Sequence, residues 1–324
     1  MPDNTTASFL RERMLLELLQ LESRLVPAPA YNLVRDLNVT PGSGAGDLSL
    51  AIGNIVYFTA SAIDSGLEIW RTDGSASGTR LIADLAPGPA DSNPTLFTNF
   101  HGVLYFAADD GSHGIELWKT DGTSTGTTLV CDLNPGAASG DVRDIANLNG
   151  TLYFSANNGV IGTELWKTNG TSGGTVLVCD VAPGSASSTP LGLIQAGSTI
   201  FFTGYESPSS GALYRSDGTA GGTGLVNPAN NDLLYHSRTS NGMFALDSLL
   251  YFRGYSGSQF HAWRTDGTAG GTYKLSNSNY SHNNPGTFTN FNGTLAFTAQ
   301  TSFGRFVLGC DDGSTYYSPT IMRL

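Results

Sequence analysis

The chain has 324 residues, 41 of them glycine, and only 13% are charged. Its formal net charge is −11, and its lysines are Lys119, Lys167 and Lys274. That balance excludes the basic footprint needed for nucleic acid or an anionic membrane surface.

Residues 1–30 stand apart from the rest of the chain. Over residues 10–25, Met14, Leu18, Leu21 and Leu25 recur at helical spacing and predict a short amphipathic helix. Pro27 and Pro29 end it. Its longest apolar run, Met14-Leu15-Leu16, is too short for a membrane span or an ordinary signal core. The stretch Leu21-Glu22-Ser23-Arg24-Leu25-Val26-Pro27-Ala28 resembles the N-terminal sorting signature of some bacterial exported and surface proteins. We therefore expect residues 1–30 to be a targeting or leader segment and the protein to be exported or at the cell surface.

From residue 31 onward the chain is a repeat. Trp70, Trp118, Trp166 and Tyr214 are spaced by 48 residues. The next steps, to Trp263 and then to Gly309, are 49 and 46. A fixed period of this size marks a repeat architecture. Each copy reads as in Glu116-Leu117-Trp118-Lys119-Thr120-Asp121-Gly122-Thr123, followed by Gly126-Thr127. The alternation up to Thr120 predicts a strand, and the Asp-Gly pair a turn in which the carboxylate accepts backbone N–H bonds. Asp73, Asp121, Asp217 and Asp266 hold this place, with Asn169 in the third copy; a sixth, worn copy keeps only Asp312-Gly313-Ser314.

The second copy predicts four strands, over residues 95–100, 103–107, 115–120 and 128–132. An aromatic row marks the second strand: Tyr57-Phe58, Tyr105-Phe106, Tyr153-Phe154, Phe201-Phe202, Tyr251-Phe252 and Ala296-Phe297. Loops with Pro87-Gly88, Pro135-Gly136 and Pro183-Gly184 join the units and carry no helix signal. Residues 31–324 span 294 positions, close to six periods. The expectation is an all-β chain, a β-propeller of about six four-stranded blades preceded by a short N-terminal helix. Tyr31-Asn32-Leu33-Val34-Arg35-Asp36 matches the last strand of a unit with no earlier strands before it, as a ring needs if its first strand completes its last sheet. The tail at 315–324 is long enough to supply that strand instead, and a linear stack of hairpins is the competing architecture.

The cysteines are Cys131, Cys179 and Cys310. Cys131 and Cys179 hold one repeat position, and equivalent positions on neighbouring units lie too far apart for a disulfide. Free thiols used as small apolar residues are expected.

These residues carry a resemblance. The chain resembles the bacterial ELWxxDGT-repeat proteins, which share Glu-Leu-Trp-x-x-Asp-Gly-Thr followed by Gly-Thr; the match at 116–123 is complete and that at 164–171 departs only at Asn169. The likeness covers roughly residues 31–300. It implies a propeller-like repeat domain of exported proteins and no established reaction. The hairpin also resembles the Asp-box of glycan-active propellers, which is a structural turn.

No residue set stands out as catalytic. A glycosidase needs two opposed carboxylates, but Glu68, Glu116 and Glu164 are repeated and fit rim or hairpin contacts. Arg71, Arg215 and Arg264 alternate with Lys119 and Lys167 at one repeat position, which reads as a solvated strand face rather than a sialidase-like arginine cluster. His101, His113, His236, His261 and His282 show no metal spacing, Asp109-Asp110 and Asp311-Asp312 fit turns, and no cofactor is expected. Asn149-Gly150-Thr151 and Asn292-Gly293-Thr294 match glycosylation sequons, but Asn-Gly is first a turn signal. Between residues 227 and 243 the pattern breaks: Asp232, Tyr235, His236 and Arg238 replace the Pro-Gly loop, and Tyr205 and Glu206 also leave the template. Decay of a degenerate copy and a grafted binding site account for this equally. The expected function is a non-enzymatic module for a protein or glycan ligand. The alternatives are a carbohydrate-active hydrolase or lyase with its site at the channel mouth, and a structural envelope component.

Overall fold

The computed structural model describes residues 45–207, 210–228, 235–236, 242–256, 259–275, 285–300 and 306–311. The leader, the strand expected at Tyr31 to Asp36 and the turn at Asp312 lie outside them. Among the described residues there is no α-helix; a 3-10 turn spans Ser172–Gly174.

Every unit is an antiparallel meander. The first sheet holds β1 (Ala45–Ile52), β2 (Ile55–Ala62), β3 (Gly66–Thr72) and β4 (Arg80–Ala83). The second holds β5 (Thr95–Phe100), β6 (Val103–Asp109), β7 (Ile115–Thr120) and β8 (Thr128–Cys131), within two residues of the expected bounds. The third holds β9 (Arg143–Leu148), β10 (Thr151–Asn157), β11 (Thr163–Thr168) and β12 (Val176–Cys179).

The next two units are fused. The fourth unit is β13 (Leu191–Ala196), β14 (Thr199–Ser207), β15 (Ser210–Ser216) and β16 (Gly224–Leu225). A two-residue strand, β17 (Tyr235–His236), pairs with β15 on one side. On its other side it pairs with the second strand of the fifth unit, which consists of β18 (Met243–Leu246), β19 (Leu249–Ser256), β20 (Gln259–Thr265) and β21 (Tyr273–Lys274). The two units thus share one nine-stranded sheet. The last described sheet has three strands, β22 (Phe288–Phe291), β23 (Thr294–Gln300) and β24 (Phe306–Asp311).

Register is the same in all copies. Phe58, Phe106, Phe154, Phe202 and Phe252 stand opposite Trp70, Trp118, Trp166, Tyr214 and Trp263. Phe297 stands opposite Gly309, so the worn copy keeps the frame after losing its aromatic. The first two strands meet in a two-residue turn; at Asn149-Gly150 both residues have positive φ, 51° and 70°, as a primed hairpin turn requires.

The paired aromatics of β2 and its counterparts follow from the pleat, which points successive side chains to opposite faces. In the described units between the first and the last, one face meets the unit before and the other meets the unit after. Tyr57, Ile69 and Ile82 of the first sheet bury against Leu104, Phe106 and Trp118 of the second. Tyr105, Leu117 and Val130 then bury against Leu152, Phe154 and Trp166 of the third. The interface recurs as Tyr153 and Leu165 against Phe202 and Tyr214, then Phe201 and Leu213 against Phe252 and Trp263. The first strands of consecutive units are also neighbours, β1 to β5, β5 to β9, β9 to β13, β13 to β18 and β18 to β22. The apolar core is therefore a series of inter-sheet layers.

Candidate functional site

The Asp-Gly-Thr turn is closed by its own side chains. Asp121 Oδ1 accepts from the Thr123 N–H at 2.9 Å and from the Thr123 hydroxyl at 2.6 Å. Thr120 and Thr127 pair their hydroxyls at 2.7 Å across the base of the turn, and Thr120 Oγ1 takes the Gly122 N–H at 3.0 Å. Asp73, Asp217 and Asp266 do the same in their copies, and Asn169 Oδ1 replaces the carboxylate oxygen in the third. The hydroxyl bond from two residues on holds the Asp73, Asp121 and Asp217 carboxyls below the usual range. These aspartates are thereby engaged as turn builders. The second glycine of the motif has a separate reason: a Cβ on Gly126 would fall on the Asp121 carboxylate.

The cation beside each aromatic reaches the next unit. Lys119 Nζ donates to the Gly170 carbonyl at 2.8 Å, Lys167 Nζ to Gly218 at 2.9 Å and Arg71 Nη1 to Gly122 at 3.2 Å. The expectation of a solvated strand face is corrected for these three residues, which are half-buried clasps. Arg215 keeps an exposed side chain, and Arg264 lies over the Tyr273 ring at 4.6 Å. The tyrosine row joins the same contact: a Cβ on Gly170 would collide with the Tyr105 hydroxyl.

The repeated glutamates are fully buried, not at a rim. Each draws the following inter-unit loop onto its hairpin. Glu164 accepts from Val181 N–H at 2.9 Å, Ser188 N–H at 2.8 Å and Ser188 Oγ at 2.6 Å. Glu68 accepts from the Leu85, Ala86 and Ser92 N–H groups at 3.1–3.3 Å and from Ser92 Oγ at 2.5 Å. In the second unit Gly140 stands where the others have serine, so Glu116 has only backbone donors, with Leu133 at 3.3 Å and Asn134 at 3.5 Å. Burial pushes its carboxyl up to about 7, against those backbone bonds. The fourth and fifth units carry Ala212 and His261 at this position. The Pro-Gly loop is replaced in the fourth unit, and at Ala212 the chain is paired by Tyr235 of β17 instead.

Asp144 is an unrepeated carboxylate, at a position held by Leu48, Leu96 and Gly192 elsewhere. It lies on β9 and accepts the Leu193 N–H of β13 at 2.9 Å. Burial raises its pKa. Asp109 and Asp110 close the β6–β7 turn, where Asp110 also faces His113 Nδ1 at 2.8 Å. Among the described residues no group of three or more His, Cys, Asp or Glu is placed to hold a metal. Cys131 and Cys179 are free and half-buried.

Of the residues expected to bind a ligand, Asp232 and Arg238 lie outside the described residues. Tyr235 and His236 form β17, whose backbone joins the fourth and fifth units. A cavity of about 350 Å³ opens instead between the second and third units. Phe100 lines it from the end of β5, His101 from the β5–β6 turn, Thr151 from β10, Lys167 from β11, and Asn169 and Gly174 from the Asx turn. His101 and Asn169 both break their repeat columns, which hold Gly53, Asn149, Gly197, Asp247 and Asn292 in one and five aspartates in the other. Comparing columns could have singled them out, but only the fold brings the two together.

No protein-family model matches the chain, and no curated protein matches it significantly. Solved structures do. A puromycin hydrolase is 15% identical with a TM-score of 0.46, over 83% of this chain and 45% of that one. A prolyl endopeptidase is 10% identical at 0.49, over 85% and 42%. The β-propeller domain of the trilobed protease from Pyrococcus furiosus is 12% identical at 0.43, over 86% and 85%. The chain spans less than half the length of the first two.

Proposed function

We propose that the units close into a β-propeller of about six blades and that the protein is an exported, non-enzymatic module binding a protein or glycan ligand. The observation that carries the functional reading is the fate of the repeated ionisable residues. The glutamates hold loops, the aspartates build turns, and three of the cations clasp the next unit. Recognition is then left to residues that depart from the repeat. Ring closure is supported by Trp70 of the first described sheet, which is 7% exposed, against 8% for Trp118 and 7% for Trp166 between sheets. The resemblance to ELWxxDGT-repeat proteins and the sorting-like segment at 21–28 support export.

A glycan array and pull-down with the full chain, beside a panel of glycosidase and peptidase substrates, test the function. Retained ligand without turnover is expected; turnover without a retained ligand rejects the reading. Small-angle scattering tests the ring. A compact chain of this length has a radius of gyration of about 20 Å. Sheets stacked in a line at about 10 Å spacing give a rod several times longer than wide. Cell fractionation finding the mature chain only in the cytoplasm would remove export.

A further inference from the structure

We propose that the loop at 132–140, at the end of the second unit away from its Asp-Gly-Thr turn, is a pH-sensitive latch. It lies closed over Glu116 in mild acid and opens locally as the solution becomes alkaline. The device operates whatever the module binds.

The loops that leave the first three units are built alike. The Ser92, Gly140 and Ser188 carbonyls accept the Asp109, Asn157 and Tyr205 N–H groups of the next unit at 3.0, 2.7 and 2.8 Å. Each loop also covers a buried glutamate. The first and third are fastened to theirs by a serine hydroxyl as well as by main chain. The second has main-chain donors alone, with Leu133 and Asn134 at 3.3 and 3.5 Å.

This loop also brings a second carboxylate. Asp132 Oδ2 accepts the Gly136 N–H at 3.2 Å, whereas its buried Oδ1 has no hydrogen-bond partner among the described residues. The Asp132 charge acts on Glu116. Asp180 Oδ1 is unpaired in the same way, but Glu164 there has its serine. His113 stands where the third unit has Ile161 and the first Ser65. Its Nδ1 meets Asp110 Oδ2 at 2.8 Å, and the Asp132 and Glu116 charges add to that of Asp110 in holding its proton. The other charged groups on these elements are engaged elsewhere. Asp109 takes the Gly111 N–H, Lys119 donates to Gly170, Asp141 pairs with Arg143 at 2.7 Å, and Asp144 takes the Leu193 N–H.

In mild acid Glu116 is neutral and His113 is charged, so the carboxylates of Asp110 and Asp132 face one imidazolium. As pH rises both groups lose a proton, and three carboxylates then share the site with no imidazolium. Burial lifts the Glu116 carboxyl to about 7, and the Asp110 bond holds His113 above its ordinary value. Both contributions are present in acid and lost with rising pH, so they act in the same direction. Lifting the loop admits water to Glu116 and Asp132 and relieves the repulsion without unfolding the sheet. The second loop opens before its neighbours because its hold on the glutamate lacks the hydroxyl.

Hydrogen exchange of the full chain at pH 5 and pH 8, corrected for intrinsic rates and read by mass spectrometry, tests the latch. Protection of 133–140 and of the Asn157 amide should fall about tenfold or more between the two. Protection of 85–92, the matching loop of the first unit, should change several-fold less. Glu116→Gln, which cannot ionise, should remove most of the difference between the loops, and His113→Gln should reduce it. Equal changes in the two loops, better protection of 133–140 at pH 8, or a difference that survives Glu116→Gln overturns the latch. Should Glu116→Gln not fold, the comparison of the two loops in the unmodified chain decides by itself.

Discussion

Replacing Gly140 with serine should stabilise the protein, and more so at alkaline pH. Glu116 is fully buried with only backbone N–H donors, while Glu68 and Glu164 each accept a serine hydroxyl from the position equivalent to 140. Its carboxyl titrates at about 7 in the folded chain, against 4.5 as the ordinary value. A raised carboxyl pKa means that the folded state holds the proton longer than the unfolded one. The protonated group's contribution is complete below about 4.5 and is lost as pH rises through about 7. At about 1.4 kcal/mol per pKa unit, roughly 3 kcal/mol of stability disappears across that window. A hydroxyl donated to a carboxylate contributes about 1.5–3 kcal/mol and favours the charged form. Gly140→Ser should therefore recover about 1–2 kcal/mol at pH 8 and only a few tenths at pH 4.5. Gly140 is outside the left-handed region, and serine is accommodated beside Glu68 and Glu164. The new Cβ would stand 2.4 Å from both Glu116 oxygens, so the gain requires that buried carboxylate to move aside as it takes the hydroxyl. Urea midpoints measured at both pH values read the effect. A gain of equal size at the two pH values, or a loss at pH 8, refutes the reasoning. Glu116→Gln, which cannot ionise, should flatten the pH dependence between 5 and 8.

Three other outcomes are expected. Gly126→Ala should lower the melting temperature, with a cost of about 1–3 kcal/mol from the contact with the Asp121 carboxylate. Much of that should be relieved in the Gly126→Ala, Asp121→Ala double variant, and additive single effects in the cycle would count against the contact. Lys119→Met removes the donor to the Gly170 carbonyl and should cost about 1–2 kcal/mol by denaturation, whereas Lys119→Arg should be near neutral because Arg71 makes the same clasp. The Cys179 thiol is pushed up by burial and then by the nearby Glu164 and Asp180 carboxylates. Alkylation of the folded chain at pH 8 should leave Cys179 largely unmodified, and rapid labelling there would contradict its half-buried setting.

The hairpins, their register and the alternation of the paired aromatics could all be read from the sequence, because each is a property of neighbours along the chain. Thr95 to Thr120 illustrates this: three of the second unit's four strands fall there at nearly the expected bounds. The roles of the repeated ions were not legible. Lys119 finds its carbonyl 51 residues away, and Glu164 its serine 24 residues away. Spacing within one copy cannot distinguish a clasp from a solvated charge, since both recur with the period. The repeated glutamates were expected to make rim or hairpin contacts, and their burial depends on a loop that closes over them. The cavity was hidden for a similar reason. His101 and Asn169 lie 68 positions apart in the chain and become neighbours only when the second sheet docks on the third.

The clasps end on main-chain oxygens, and that choice of acceptor affects how the array can evolve. A partner recognised through its peptide carbonyl needs only to keep its bend, whatever side chains it carries. Copies can then be shuffled, duplicated or lost by recombination, and each new junction inherits a working fastener. Individual copies are left free to drift toward private chemistry, as the third has done by exchanging an acid for an amide.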